Sequence, residues 1–144
     1  MPSATPASLW LRAAAVVYDL FPLIGLWMLT AALAMLIAHG DVDAAHPPAT
    51  WRALLQMALF AVTATYFVAS WSRGGQTIGM RAWRTRVVST EGRALPWPRA
   101  LLRFSLALVS LLAFGLGFAW CLFDRRGRAW HDIIARSELV RIER

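Results

Sequence analysis

The chain has no lysine, no asparagine and only one cysteine, Cys121, in 144 residues. A lone cysteine excludes a disulfide framework. Charged residues are also scarce, at 16%, against roughly 25% in an average soluble domain. With 58% of residues hydrophobic and a mean hydropathy of +0.50, too few polar side chains remain to cover a water-facing surface. The same composition excludes a disordered or collagen-like chain. What the sequence does contain is long apolar stretches, the mark of a small integral membrane protein.

There are three such stretches. Ser8 to Ala38 carries only Arg12 and Asp19 as charges, Ala53 to Ser72 carries none, and Phe104 to Phe123 is a run of twenty uncharged residues. Each reaches the ~20 residues needed to cross a ~30 Å hydrocarbon core as helix. Trp51 flanks the second stretch on one side and Tyr66 and Trp71 on the other, as an aromatic belt would place them. The first stretch is not expected to be a cleaved signal, because no basic residue precedes Arg12 and Asp19 interrupts the apolar run.

All fifteen cationic residues are arginines, and the net charge is +7. In a soluble protein that balance would suggest nucleic acid. Here seven arginines fall within Arg73–Arg103 and six within Arg125–Arg144, whereas the 39–50 segment holds Asp41 and Asp43 and no arginine. Basic residues are retained on the cytoplasmic side. The expected partners are therefore anionic lipid headgroups and not nucleic acid. Three full spans would separate the two arginine-rich segments. A re-entrant helical hairpin, broken near Gly115 and Gly117 with arms of ~10–13 residues, keeps them together. The hairpin is the preferred reading and the third span the alternative.

The expected fold is thus an all-α integral membrane protein forming one domain over 1–144. It comprises helix 8–38, outer loop 39–51, helix 52–72, cytoplasmic segment 73–97, hydrophobic hairpin 98–123 and cytoplasmic tail 124–144. Within 73–97, the β-branched run from Arg84 to Leu95 around Glu91-Gly92 suggests a short β-hairpin. Ser137 to Ile142 is a strand candidate. If it pairs with Thr85–Val88, both lie on one side of the membrane.

Several of these residues together resemble the RDD family of membrane proteins. They are Arg12 and Asp19 in the first helix, Gly75-Gln76-Thr77-Ile78-Gly79 after the second, Arg103, and the run from Phe123 to Asp132. The family is named for one arginine and two aspartates, matched here by Arg12, Asp19 and Asp132, and the resemblance covers roughly residues 9–142. Two positions depart from it: Met80 stands where a lysine is usual, with Arg81 next to it, and Arg136-Ser137 where Gly-Thr is frequent. The resemblance implies a membrane protein, expected to be multi-pass in the bacterial inner membrane, and the arginine distribution leads one to expect both termini and the Arg73–Arg103 segment to be cytoplasmic. Transport of an ion or small ligand is the activity it suggests.

Arg12 and Asp19 are seven residues apart and so share a helical face, ~10.5 Å apart along the axis. Arg12 can snorkel to the inner interface, leaving Asp19 about two turns deeper, where a carboxylate needs a partner. Pro22 frees the carbonyl of Tyr18. Asp19 can accordingly be read as a proton or cation site, or as a structural partner of Arg103. The expected charge cluster is Arg12, Asp19, Arg103 and Asp132, with His131, Asp124, Gly75, Thr77 and Gly79 as secondary candidates.

The remaining polar groups carry less. His39, Asp41, Asp43 and His46 have metal-ligand types but suit a polar loop equally, and neither a metal nor a cofactor is expected. Gly74–Gly79 lacks the Gly-Lys-Ser/Thr of a phosphate loop and reads as a tight turn. His131-Asp132 reads either as a proton relay or as a helix cap with Asp132 opening 133–136. Cys121 reads as an inert core thiol. No nucleophile–base pair supports an enzyme. The two functional readings are a small transporter and a non-transporting scaffold or accessory subunit, either acting as a homo-oligomer or with a partner membrane protein.

Overall fold

The computed structural model describes residues 5–39 and 41–142. Residues 1–4, Gly40 of the expected outer loop, and Glu143 and Arg144 of the expected tail lie outside the described residues. The chain runs β1 (Thr5–Pro6), α1 (Leu9–Ile37), α2 (Ala49–Arg73), α3 (Ile78–Ala82), β2 (Thr85–Ser89), α4 (Trp97–Leu112), α5 (Leu116–Ala119), a 3-10 turn (Trp120–Leu122), α6 (Trp130–Ile134) and β3 (Ser137–Arg141).

Helices α1 and α2 are each long and apolar enough to cross a membrane. Ser8 opens α1 by accepting a hydrogen bond from the Leu11 N–H, and Pro48 precedes α2, which begins three residues earlier than expected. Their outward faces stay uncovered by the rest of the chain: Phe21 is 73% exposed and Met28 and Met57 are each 68% exposed. Side chains of this type on so much open surface suit lipid and not water.

The third apolar stretch is broken. Phe114 and Gly115 both take positive φ, 56° and 76°, and the helices on either side meet at 107°. Glycine adopts this conformation without a Cβ penalty, which is why the chain turns here. The arms are unequal, contrary to the expected ~10–13 residues each: α4 has 16 residues, whereas α5 and the 3-10 turn are single short turns. Gly117 is not part of the break. It lies against Ser110, where a Cβ would come within 2.3 Å of the hydroxyl oxygen.

The strands correct two expectations. The fold is mainly helical but not all-α, and the 84–95 run contributes one strand in place of a hairpin. Its partner comes from the tail: β2 and β3 pair antiparallel with Thr85 opposite Arg141 and Ser89 opposite Ser137. The two-residue strand β1, unforeseen in the sequence, adds to the other edge of β3 with Pro6 opposite Val140. Strand order is β1-β3-β2. The 90–95 residues turn back on the other edge of β2, where the Ser89 N–H donates to the Arg93 carbonyl at 2.8 Å, but the next N–H on that edge, Val87, is already taken by the Gly75 carbonyl at 2.7 Å. The sheet therefore ties together the chain before α1, after α2 and after the bent third stretch. Ala7, Trp71, Met80, Val87, Leu95, Phe104 and Leu139 form the core where sheet and helices meet.

Candidate functional site

The α1 face carrying Arg12 and Asp19 meets two different environments. Asp19 is 1% exposed and finds no arginine within salt-bridge reach among the described residues. Its Oδ1 accepts from the Tyr66 hydroxyl at 2.7 Å and the Gly79 N–H at 2.8 Å, and its Oδ2 accepts from the Thr77 hydroxyl at 2.6 Å. The expected Asp19–Arg103 pair is therefore corrected. Three neutral donors satisfy this carboxylate, two of them from the α3 entrance.

The glycine-threonine run builds that entrance. Gly75 holds φ at +68° and its carbonyl accepts from the Val87 N–H at 2.7 Å, docking the turn on β2. Thr77 caps α3 by accepting from the Met80 N–H at 3.1 Å. Gly79 lets α3 touch α1, since a Cβ there would lie 2.0 Å from the Ala15 carbonyl oxygen. Met80, where the family resemblance leads one to expect lysine, is buried in the core, and Arg81 beside it is exposed. Tyr66 has two tasks, since its oxygen also accepts from the Ile78 N–H at 3.2 Å.

Arg12, Arg103 and Asp132 form the second centre. Asp132 is fully buried, with Arg12 Nη1 2.6 Å from its Oδ2 and Arg103 Nη1 hydrogen-bonded to its Oδ1. Its Oδ2 also accepts from the Ala129 N–H at 3.0 Å. Asp132 thus stands in the first turn of α6 and does not open the helix, which begins at Trp130, three residues earlier than a cap at 132 requires. Arg12 Nη2 donates to the Gly127 carbonyl at 2.9 Å. Arg103 Nη1 donates to the Ser137 hydroxyl at 2.9 Å, and its guanidinium lies 4.9 Å over the Trp71 ring. One carboxylate therefore joins α1, α4, α6 and the start of β3. Burial alone would raise the Asp132 carboxyl, but the guanidiniums of Arg103 and Arg12 hold it well below the usual carboxylate range.

His131 lies 3.7 Å from Asp132 Oδ1 and packs against Phe118 at 4.7 Å between ring centroids. Burial first, then Arg103 and Arg12, push its pKa down to about 3 against the opposing pull of Asp132. It is a neutral imidazole at physiological pH. Asp124 belongs to a separate loop. It accepts from the Arg126 N–H and from the backbone and guanidinium of Arg128, bonds that bring its pKa down to about 2. In the loop between α1 and α2, Asp43 and His46 are 3.3 Å apart and exposed. Cys121 is buried, with no disulfide.

A cavity of about 280 Å³ opens between α1, α2 and α4, bordered by Arg12, Asp19, Trp71, Arg103 and His131 among mostly apolar side chains. The expected four-residue cluster is thus split. Arg12, Arg103 and Asp132 are together, and Asp19 lies apart on the same cavity wall. Sequence reasoning missed Tyr66, Trp71 and Ser137, because two of them fit an aromatic belt and the third looked like a departure. Ser137 keeps the hydroxyl that a threonine would offer to Arg103. Arg136 holds φ at +49°, the left-handed region that glycine enters freely.

The sequence profile of the RDD family matches residues 6–136. Among curated proteins and among solved structures, nothing matches.

Proposed function

The chain belongs to the RDD family, and from that premise we propose that it is a multi-pass protein of the bacterial inner membrane that binds and moves a small anionic ligand. The observation that carries this reading is the cavity wall. Two buried arginines, Arg12 and Arg103, share the single carboxylate of Asp132 beside a neutral His131, leaving one positive charge over at that centre, with Asp19 two turns further along the wall. The Asp19 carboxylate is already engaged by three donors. A cation would find its acceptors taken, whereas an anion would find charge and donors.

In this reading both termini and the 73–103 segment are cytoplasmic and the third stretch is re-entrant. Support comes from the sheet, which holds chain from before α1, after α2 and after α5 side by side, and from the arginines on those segments. The activity is binding and movement, not bond-making chemistry. Two spans and a short hairpin enclose little volume, so the protein acts as an oligomer or beside a partner. A scaffold is the second reading, favoured by the same saturation of Asp19 and Asp132 that makes them fasteners.

Proteoliposomes holding the full chain decide between these. Acetate or phosphate should enter down its gradient in the wild type and in Asp19→Asn, but not in protein-free vesicles. Sodium or proton flux abolished by Asp19→Asn would overturn the anion reading. Absence of any flux would favour the scaffold.

A further inference from the structure

The cavity between α1, α2 and α4 is unsatisfied at one end only. At the sheet end, Arg103 Nε, Trp71 Nε1 and His131 Nδ1 are buried with no hydrogen-bond partner among the described residues. These side chains border the cavity and are only 2%, 5% and 2% exposed. The arginine and tryptophan nitrogens are N–H donors in every relevant protonation state. Buried donors without acceptors are rare and costly, so two in one wall mark a place for an acceptor.

The far end differs. There Trp27 Nε1 donates to the Thr63 hydroxyl at 2.9 Å, and Thr63 donates to the Leu59 carbonyl at 2.8 Å. The wall between the ends is apolar, with Leu23, Phe104, Leu108 and Leu111. From Arg12 to Trp27 it follows α1 for about 22 Å, at ~1.5 Å per residue. Its volume of about 280 Å³ sits at the lower limit of small-molecule sites, roughly 300 Å³. That suits one narrow chain and not a two-chain lipid. The polar end lies toward the sheet, where α1 begins and α2 ends, the level of headgroups if the helices span.

We propose that this cavity holds a single-chain anionic amphiphile of the fatty-acid class, its carboxylate at Arg103 and Trp71 and its chain running along α1 toward Trp27. The proposal rests on the reading that the site takes an anion and adds the chain. The carboxylate supplies acceptors to the unpartnered N–H groups and neutralises the surplus charge of the Arg12–Asp132–Arg103 centre. Asp19 borders the same wall and keeps its charge, but it lies ~10.5 Å from Arg12 along α1 and its oxygens already accept from Tyr66, Thr77 and Gly79. Entry from one leaflet needs no aqueous path for the chain.

The test uses the full chain in phosphatidylcholine nanodiscs and 12-bromododecanoate, whose bromine quenches tryptophan on contact. Saturable quenching, displaced by unlabelled dodecanoate, is expected. Dodecanol should compete at least tenfold more weakly. Trp71→Phe keeps the ring under Arg103 but removes one donor, and should weaken binding about tenfold. Ala107→Phe fills the cavity away from the charges and should abolish saturable quenching while the protein stays folded by circular dichroism. Dodecanol competing as well as dodecanoate, or unsaturable quenching identical in Ala107→Phe, would overturn the proposal. If acetate or phosphate changes the protein's fluorescence saturably but dodecanoate does not, the anion reading stands and the chain is wrong. If none of the three binds, both fall.

Discussion

Replacing Asp132 by asparagine removes the carboxylate that the two buried guanidiniums of Arg12 and Arg103 share. At charge separations near ~4 Å and an effective dielectric of ~20, each contact is worth ~4 kcal/mol before offsets. Loss of Arg12–Arg103 screening adds to the cost, and the remaining amide dipole recovers part of it. An asparagine oxygen can serve one arginine or the Ala129 N–H, but its NH2 then faces donors. A net destabilisation of ~3–5 kcal/mol is expected, the range for a broken buried ion pair. Asp19→Asn is the internal control. Its amide oxygen keeps Tyr66 and Gly79, its NH2 donates to the Thr77 oxygen, and only the Thr77 proton loses its acceptor, so ~1 kcal/mol is expected. Steric-trapping measurements of unfolding free energy in bicelles compare the two directly. A cost below ~1 kcal/mol for Asp132→Asn, or equal costs for both variants, would refute the assignment of one aspartate to a charge clamp and the other to a neutral bracket.

Gly79→Ala should destabilise by more than ~3 kcal/mol, because α3 must retreat from the Ala15 carbonyl. Gly25→Ala, with nothing within 4 Å, should be neutral or gain up to ~1 kcal/mol, and the same unfolding assay reads both. Arg136→Gly should stabilise by roughly 0.5–1 kcal/mol by relieving a left-handed backbone, and a loss would remove strain from that turn. For His131, the unfolded imidazole takes up its proton near 6.5 and the folded one only near about 3. Stability should therefore fall as pH drops from about 6.5 toward 3, and His131→Leu should flatten that slope. In a Cys121→Ser background, single cysteines at Arg93 and Arg141 should label from the same membrane face. Labelling from opposite faces would restore a third full span.

The class of protein and much of its layout were legible in the residues. Apolar runs declare lipid-facing helices because their periodicity and length answer to bilayer thickness, a property of the segment alone. Gly115 announced the break and Arg12, Asp19 and Asp132 announced buried charge. Strand signals in the 84–95 run and the tail were legible from β-branched composition, their pairing stood only as a condition that the structure supplies, and the arginine distribution led one to expect that these segments share a side. Strand β1 was not legible, because two residues including Pro6 carry no strand signal of their own and are held by the edge of β3.

Partner choice belonged to the tertiary structure. The residues and the family resemblance already grouped Arg12 and Arg103 with two aspartates; only the fold decides that Asp132, 120 positions from Arg12, takes both guanidiniums and Asp19 neither. Asp19 makes the distinction sharper. Charge complementarity suggested an arginine, yet its partners are a tyrosine, a threonine and the backbone N–H of Gly79. Every residue except proline carries such an N–H, so it has no signature in the sequence. Which one becomes free is decided by where a helix begins and how closely another helix lets it approach.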